Sequence, residues 1–260
     1  MKVKACIYTD AGRKRSVNQD ASLIKVAGAG QVGRISFVAV CDGMGGLSKG
    51  EVASCKVIRS LENWFHEELP LMLGIGEDKL WEVIENSWRR LLADMDKDIK
   101  RYGKHRGISL GTTLTALLQI GRKFILMNVG DSRIYLVSRK DVRKITHDHS
   151  LVQEKIDRGI ITEKDADDDL QQNVLLQCIG HGGPISPQIM FGEIRTSSTV
   201  VACSDGFWKT ISEKEIFRSL CPQMCVTSED MLEECRKLTG MAIDRKEQDN
   251  ITVAAMCLEF

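Results

Sequence analysis

The sequence lacks long apolar runs. No stretch of about 18 consecutive apolar residues occurs in the chain, so we expect no transmembrane helix and no membrane partner. The segment 1–7 also lacks the apolar centre of a signal peptide, which favours a cytoplasmic protein. Integral membrane proteins and secreted proteins are therefore set aside as function classes.

The sequence has no excess charge of either sign and few prolines. Lys plus Arg and Asp plus Glu both number 36, which gives a formal net charge of +0 at pH 7. Because nucleic-acid-binding proteins usually carry a basic excess, we expect no nucleic-acid partner. Only 4 of the 260 residues are proline, and no low-complexity stretch or repeat interrupts the chain. We therefore expect a single domain over residues 1–260.

The 9 cysteines lack the spacing of a zinc site. No Cys-x-x-Cys pair occurs, and the closest two, Cys221 and Cys225, are not followed by a His or Cys pair at zinc spacing. Several others, such as Cys41 and Cys203, lie in apolar runs. We therefore expect buried free thiols in a reducing compartment.

Aromatic residues make up only 5% of the chain, so the core must consist mainly of Val, Ile, Leu and Ala. Many short segments are rich in Val and Ile and are bounded by Gly, Asp or Ser, which is typical of β-strands. The predicted strands are 2–8, 21–26, 34–41, 112–120, 123–129, 133–137, 142–145, 189–194, 199–203 and 251–258.

Helices are predicted between these runs of strands. Ser48-x-x-Glu51 and Ser212-x-x-Glu215 are capping-box patterns that predict the starts of two helices. Two more helices are predicted at 77–102 and 229–241, where apolar residues recur at helical spacing. Strands in runs with helices in blocks favour an α+β fold with antiparallel sheets over a doubly wound fold.

One glycine pattern resembles a dinucleotide-binding loop. Gly28-x-Gly30-x-x-Gly33 follows a predicted strand, as such a loop must. The next segment is another strand, however, and not the helix whose N-terminus would bind a pyrophosphate. We therefore interpret the pattern as a glycine-rich hairpin turn.

Two acidic runs are interpreted as solvated surface. Asp94-x-Asp96-x-Asp98 resembles the start of a calcium loop, but it lacks the required glycine and lies in a predicted helix. The run 167–169 lies in a predicted loop. His147 and His149, which flank another aspartate, are expected at cap or turn positions, with a metal or catalytic role as the alternative.

Three aspartates lie where an apolar strand meets a turn. Asp42 and Asp205 each follow a predicted strand and precede a glycine, and Asp249 comes just before the last strand. Because the end of one antiparallel strand lies beside the start of its neighbour, the three carboxylates can converge at one edge. The glycines after Asp42 and Asp205 carry no side chain, so a ligand can approach the backbone there.

Further polar groups lie at similar boundaries. Asp20 follows the cationic segment 13–15, Asp131 follows another strand, and Gly43 offers a backbone carbonyl oxygen. An all-oxygen site with several aspartates and no clustered His or Cys suits Mg²⁺ or Mn²⁺ better than Zn²⁺. The segment 13–15 offers three cations, and an arginine can bind a phosphate through two parallel hydrogen bonds, which a lysine cannot. The sequence therefore predicts a metal site with cations beside it.

Together these segments resemble the type 2C, metal-dependent protein phosphatases of the PPM family. The resemblance runs nearly from end to end, and its specificity comes from the whole ordered set and not from any single motif. The matching motifs are Gly12-x-x-Arg15-x-x-Asn18-Gln19-Asp20, Asp42-Gly43-Met44-Gly45-Gly46, Leu110-Gly111-Thr112-Thr113, Gly130-Asp131-Ser132-Arg133, Thr146-His147-Asp148-His149-Ser150, Ser204-Asp205-Gly206-Phe207-Trp208 and Asp249-Asn250-Ile251-Thr252.

The resemblance implies a fold and a binuclear site. The fold would be a four-layer α-β-β-α sandwich of two mainly antiparallel sheets, with the metals in a cleft at one end of the sheets. The metals would be two Mn²⁺ or Mg²⁺ ions bridged by Asp42. Asp205 and Asp249 would bind the first ion, and the Gly43 carbonyl would bind the second.

The resemblance implies three further roles and a reaction. Asp20 would hold metal-bound water, Asp131 would help to hold a third, weaker ion, and Arg15 would bind the substrate phosphate. The reaction would be hydrolysis of phosphoserine and phosphothreonine in proteins by a metal-activated water, without a covalent enzyme intermediate.

The resemblance also implies partners. A monomeric enzyme would act on phosphorylated proteins opposite a cognate serine/threonine kinase, either generally or on one specialised partner. The alternative is a pseudophosphatase, a phosphoprotein-binding module that has lost turnover. The identity of the substrate, of the kinase and of the preferred metal stays open.

The sequence departs from the family's pattern at two places. Met44 replaces a histidine that is a candidate general acid in animal members, and methionine cannot donate a proton. The leaving alkoxide must then take its proton from another group. The segment of about 150–187 resembles the family's mobile flap, where Gln171-Gln172-Asn173 replaces a more basic pattern. The second departure concerns substrate preference and not the chemistry.

Overall fold

A computed structural model describes residues 1–30, 33–45, 49–166 and 169–260. The strands form two five-stranded antiparallel sheets and one two-stranded sheet. The first sheet contains, in spatial order, β1 (Lys2–Asp10), β12 (Ile251–Glu259), β11 (Ser198–Cys203), β8 (Arg133–Val137) and β9 (Val142–Lys144). The second contains β10 (Gln188–Glu193), β7 (Lys123–Val129), β6 (Leu114–Ile120), β3 (Gly33–Cys41) and β2 (Ala21–Ala29). The small sheet pairs β4 (Gly43–Met44) with β5 (Gly111–Thr112).

The longer helices cover the outer faces of the two large sheets, and shorter helices lie in the connections. They are α1 (Gly50–Asn63), a π-helical turn (Trp64–Glu68), α2 (Leu69–Met72), α3 (Glu77–Arg106), α4 (Leu151–Asp157), α5 (Asp205–Trp208), α6 (Glu213–Leu220) and α7 (Ser228–Asp244). The apolar faces of α1 and α3 share a buried cluster with the second sheet, and those of α6 and α7 share one with the first. Within the described residues, no helix is both long and apolar enough to cross a membrane.

A third buried cluster joins the inner faces of the two large sheets. Val38 and Val40 of β3 belong to this cluster, together with residues of β11 and β12 in the other sheet. Their neighbours Phe37 and Ala39 point the other way, into the cluster under α1 and α3. Both faces of β3 are therefore buried, which explains its unbroken apolar sequence. The four-layer α-β-β-α sandwich is thereby confirmed.

Four aromatic residues pack against one another between the second sheet and its helices. Phe37 stacks on Phe65 with ring centroids 5.8 Å apart, and Trp64 meets Trp88 edge to face at 5.6 Å. The Trp64 indole donates a hydrogen bond of 2.8 Å to Ser87 Oγ, which satisfies its buried N–H. Large rings therefore fill this helix–sheet interface, although they are scarce in the chain as a whole.

The glycine pattern near position 30 is a hairpin, as predicted. Ala29 of β2 pairs with Gly33 of β3, and a strand follows Gly33. The turn residues 31–32 lie outside the described residues. The hairpin leaves no helix N-terminus at this point, so the dinucleotide interpretation fails for the expected reason.

The predicted strand 112–120 is wrong in one respect, because it consists of two strands. Gly111–Thr112 belongs to β5 and Leu114–Ile120 to β6, so the chain changes sheet at Thr113. The N–H of Thr113 donates to the Asp42 carbonyl at 2.9 Å and not to a ladder partner. The break between β5 and β6 therefore places Thr113 against the Asp42 turn. The short elements β4, α2, α4 and α5 were not predicted at all.

The helix caps agree with the prediction in one case and lie partly outside the described residues in another. Ser212 and Glu215 form a capping box at α6, as predicted. At α1 the cap position is Lys49, with a left-handed backbone (φ 99°), while Ser48 lies outside the described residues. Residues 167–168 of the predicted acidic run 167–169 also lie outside the described residues.

The cysteine prediction is confirmed for burial, and the prediction for the first acidic run needs a correction. All nine thiols are free and all except Cys55 are buried.

In the acidic run 94–98, Asp98 is exposed, but Asp96 is not simply solvated. Its carboxylate accepts 2.8 Å hydrogen bonds from Lys100 Nζ and from the Gly180 N–H, and so ties α3 to a loop.

Candidate metal centre

The site lies at one edge of the two large sheets, where strand ends from both meet. Asp205 begins α5 just after β11, and Asp249 lies just before β12, the antiparallel neighbour of β11. The pairing of these strands places both aspartates at the same edge, as predicted. Asp42 follows β3 of the other sheet. Its carboxyl group lies close enough to Asp205 for the Asp205 charge to raise its pKa, so both sheets contribute to the same cluster.

Two hydroxyl groups hold the Asp42 turn in place. The Asp42 N–H donates to Thr113 Oγ1 at 2.8 Å, and the Thr112 hydroxyl donates to the Asp42 carbonyl at 2.9 Å. Thr113 Oγ1 also lies 2.7 Å from Ser132 Oγ, next to Asp131. A chain of hydrogen bonds thus connects the Asp42 turn to the Asp131 turn. Neither hydroxyl was assigned a role from the sequence, although the Gly-Thr-Thr pattern was the signal.

Gly43 and Gly206 are required for a reason other than the predicted one. A Cβ on Gly43 would lie 2.4 Å from the carbonyl oxygens of Gln19 and Gly50, and one on Gly206 would lie 2.2 Å from that of Asn250. The glycines therefore let the turns of the site pack against each other's backbone. This close packing is a second reason for glycine at these positions, beside the predicted approach of a ligand to the backbone.

Asp20 is held by a serine at the end of β11. Ser204 Oγ donates to Asp20 Oδ2 at 2.8 Å and accepts the Thr252 N–H at 3.0 Å. The other oxygen, Asp20 Oδ1, is buried and has no hydrogen-bond partner. Burial raises the pKa of Asp20 to about 7; the nearby hydroxyl groups of Thr252 and Ser204 oppose this rise, and the Asp205 charge adds to it.

Asn250 organises the loop that carries Arg15. Its side-chain oxygen accepts the Gln19 N–H at 2.8 Å, and its amide donates to the carbonyls of Ala11 at 2.9 Å and Val17 at 3.2 Å. Arg15 then forms two hydrogen bonds with Asp249, of 3.0 and 2.9 Å. The arginine lies beside the cluster, as predicted, but its guanidinium binds a carboxylate and is not free for a phosphate.

Asp205 is likewise paired with a cation that the sequence reasoning missed. Lys209 Nζ lies 2.6 Å from Asp205 Oδ2, while Asp205 Oδ1 is buried without a partner. Burial alone would raise the pKa of Asp205, but the Lys209 ammonium and its hydrogen bond hold it below its usual value. The i, i+4 spacing of the two residues at α5 was the available signal.

The surroundings of the other two carboxyl groups, Asp42 and Asp131, favour the neutral, protonated form. Burial and the charges of Asp205 and Asp20 raise the pKa of Asp42 well above its usual value. Burial and the Asp205 charge raise the pKa of Asp131 to about 7, against the effect of Lys209. The Asp131 carbonyl accepts a 2.9 Å hydrogen bond from the Trp208 indole. Several like charges therefore share a poorly solvated site.

The donor set fits hard divalent cations. Every candidate ligand offers oxygen, and two buried carboxylate oxygens, on Asp20 and Asp205, lack partners. In the part of the chain that the structure describes, no group of three or more His, Cys, Asp and Glu side chains is already arranged to hold a metal ion. Arg15 and Lys209 bind two of the candidate ligands, Asp249 and Asp205, so a metal ion would compete with these side chains for the two carboxylates.

The two histidines near the site lie in an irregular segment just before α4, whose N-cap is Ser150. The His149 N–H donates to the Gly130 carbonyl at 2.9 Å, and the Gly130 N–H donates to His149 Nδ1 at 3.3 Å. Burial lowers the pKa of His149, and the neighbouring His147 adds to this effect. His147 Nε2 lies 2.8 Å from Asp157 Oδ2 at the surface. Met44 is half-buried in β4, opposite Gly111.

Comparison with known proteins gives the same answer from sequence and from structure. Residues 9–238 match the family described as protein phosphatase 2C. The serine/threonine phosphatase stp of Listeria monocytogenes is 31% identical over 247 residues, which cover 94% of this chain and 92% of that protein.

Solved structures share the whole fold. The serine/threonine phosphatase Stp1 from Staphylococcus aureus superposes with a TM-score of 0.85 at 28% identity, over 100% of this chain and 96% of that one. The catalytic domain of the phosphatase PstP in complex with two manganese ions superposes with a TM-score of 0.78 at 26% identity, over 99% of each chain. The sandwich, the aspartate-lined edge and these similarities lead to one conclusion: the chain belongs to the protein phosphatase 2C family.

Proposed function

We propose that the protein is a metal-dependent phosphatase that hydrolyses phosphoserine and phosphothreonine in proteins, and that residues 1–260 form one catalytic domain. The observation that carries the proposal is the convergence of carboxylates at one edge of the sandwich, where two buried oxygens lack partners. The relatives named as serine/threonine phosphatases support the same reaction. Phosphorylated proteins are then the substrates, and a serine/threonine kinase supplies them.

The proposed ligands divide between two ions. Asp42 would bridge the ions, Asp205 and Asp249 would bind the first, and the Gly43 carbonyl would bind the second. Asp131 would help to hold a third ion. When bound, Mg²⁺ or Mn²⁺ supplies Lewis-acid chemistry, which lowers the pKa of water and offsets charge on the phosphoryl oxygens. The neighbour that contains two manganese ions supports two metals of this class.

The chain's own residues then position water and substrate. Asp20 has an unpartnered Oδ1 that can accept a hydrogen bond from the attacking water and orient it. Arg15, once it leaves Asp249, can bind two phosphoryl oxygens with its planar guanidinium. In-line attack expels the serine or threonine oxygen on the opposite side. Because Met44 has no acidic proton, the leaving oxygen takes its proton from another group.

Phosphate release from a phosphothreonine peptide, with Mn²⁺, with Mg²⁺ and with EDTA, tests the proposal. We expect metal-dependent release that EDTA removes. Asp42→Asn should reduce it to the EDTA level, because this residue is the proposed bridge. Asp98→Asn is the matched control, since Asp98 is an exposed aspartate on α3 that forms a surface ion pair with Arg101.

Turnover that survives in Asp42→Asn would refute the site. If the wild type binds the phosphopeptide but releases no phosphate with either metal, the pseudophosphatase alternative replaces the proposed reaction.

A further inference from the structure

Lys209 connects the candidate metal centre to a neighbouring surface segment. Its ammonium donates to Asp205 Oδ2 at 2.6 Å and to Asn173 Oδ1 at 2.7 Å. Only 21% of the Lys209 side chain is exposed. One partner is a proposed metal ligand and the other lies in the segment 169–176, so a single side chain contacts both.

The segment 169–176 is anchored at both ends but exposed between them. Towards its end, the Val174 carbonyl accepts the Leu151 N–H at 2.9 Å and the Leu176 N–H donates to the His149 carbonyl at 2.8 Å. At its start, Asp169 pairs with Lys155 of α4 at 2.6 Å. Between them Leu170 is fully exposed. The contact between Asn173 and Lys209 is therefore what ties the exposed middle of the segment to the metal centre.

The contacts of Lys209 set up a competition at Asp205. A divalent ion at Asp205 would take the negative charge that now attracts the ammonium, and it would repel that ammonium. The flexible lysine can then leave Asp205, but Asn173 receives its hydrogen bond only while the ammonium stays between the two partners. Loss of one contact therefore weakens the other.

We propose that Lys209 is a positioning residue that couples metal binding at Asp205 to release of the segment 169–176. The inference rests on the proposed function, because it requires Asp205 to bind metal. The coupling is reciprocal: the segment held by Lys209 opposes metal binding, and bound metal frees the segment. The consequence for activity is that the surface beside the site can adapt to a phosphoprotein only when the site is loaded.

The test measures Mn²⁺ affinity by calorimetry and amide hydrogen exchange of 169–176 with and without Mn²⁺. In the wild type we expect saturating Mn²⁺ to raise exchange in this segment severalfold. Lys209→Met keeps the length of the side chain and removes the charge. It should show fast exchange without metal, no further response to Mn²⁺, and Mn²⁺ affinity raised by about fivefold or more, as is usual for coupled sites.

Two further variants separate coupling from general loosening. Asn173→Ala removes only the contact on the segment's side, so it should raise exchange without metal and raise Mn²⁺ affinity less than Lys209→Met does. Lys155→Met is the matched control, because Lys155 also anchors the segment through an aspartate and is 22% exposed, close to the 21% of Lys209. It should loosen the segment and leave Mn²⁺ affinity unchanged.

The outcomes separate this inference from the proposed function. If Mn²⁺ binds to the wild type but exchange of 169–176 does not change, the coupling is refuted and the metal site stands. Equal gains of affinity in Lys209→Met and Lys155→Met would refute it as well. If the wild type binds no Mn²⁺, both the coupling and the metal-dependent reaction are overturned. Asn173→Ala, at an exposed position, keeps the test valid if Lys209→Met does not fold.

Discussion

The two ion pairs at the candidate metal centre, Arg15–Asp249 and Lys209–Asp205, are of the same kind but have different surroundings. Each joins a cation to an aspartate at a strand boundary of the first sheet. In the Arg15–Asp249 pair, 52% of the arginine and 37% of the aspartate side chain are exposed. In the Lys209–Asp205 pair the exposed fractions are 21% and 14%. The two ion pairs therefore differ in burial, although both are close contacts between a cation and an aspartate.

The difference determines which cation can leave at little cost. An exposed pair contributes about 0–1 kcal/mol, because water solvates both charges once they separate. A buried charge that loses its partner is much less well solvated, and the cost is correspondingly larger. Arg15 is therefore suited to exchange Asp249 for a substrate phosphate. Lys209 is suited to a contact that opens only when another cation replaces it.

The largest expected effect comes from removing each aspartate in turn. Asp205→Asn and Asp249→Asn should both reduce phosphate release to the EDTA level, since both remove a proposed ligand. They should differ in stability: Asp205→Asn leaves Lys209 without its charge partner and should cost about 1–3 kcal/mol in the free energy of unfolding. Asp249→Asn should cost less than about 1 kcal/mol.

Urea denaturation in EDTA measures this difference in stability. Equal losses of stability in the two variants would show that burial does not distinguish the pairs.

A smaller effect is expected when Arg15, the cation of the more exposed pair, is removed. Arg15→Ala should raise KM for a phosphopeptide by about 10- to 100-fold, the equivalent of roughly 1.5–3 kcal/mol for hydrogen bonds to a charged group. The value of kcat should fall less. Arg13→Ala is the matched control in the same loop, because Arg13 forms an exposed pair with Asp244 outside the centre. A KM unchanged by Arg15→Ala would remove this residue from the phosphate site.

The smallest effect is expected from keeping the charge and changing its shape. Arg15→Lys should raise KM only a few-fold, because an ammonium retains the attraction but cannot make two parallel hydrogen bonds. Steady-state kinetics on the same peptide measure this change. An increase in KM as large as that of Arg15→Ala would mean that the planar geometry of the guanidinium, and not its charge, decides phosphate binding.

The strands could be predicted from the sequence because their signal is local. Runs such as 123–129 and 133–137 combine β-branched residues with turn residues at both ends, and both were predicted with the bounds that the structure has. The aspartates of the site were predicted because they lie at the ends of such runs. The short helices α4 and α5 were missed, since one or two turns contain too few residues for a periodic pattern.

The supporting contacts of the site could not be predicted. Thr113 looked like an ordinary strand residue, yet it leaves the ladder to hold Asp42. Asn250 and Ser204 act on loops far away in the chain. The glycine after Asp42 was noted only for the approach of a ligand, whereas the backbone that it packs against belongs to Gln19 and Gly50, which no local pattern connects to it.

The sequence by itself determined most of the strands and the candidate oxygen ligands, because β-branched runs, turn residues and side-chain chemistry are properties of short segments. The four-layer order of the fold followed only from the resemblance of the ordered motifs to a known family. Only the tertiary structure decided which charges meet. Lys209 lies 36 residues after Asn173, and Asp249 lies 234 residues after Arg15. Whether such a pair forms depends on how the sheets and loops pack, and its strength depends on how much water that packing excludes.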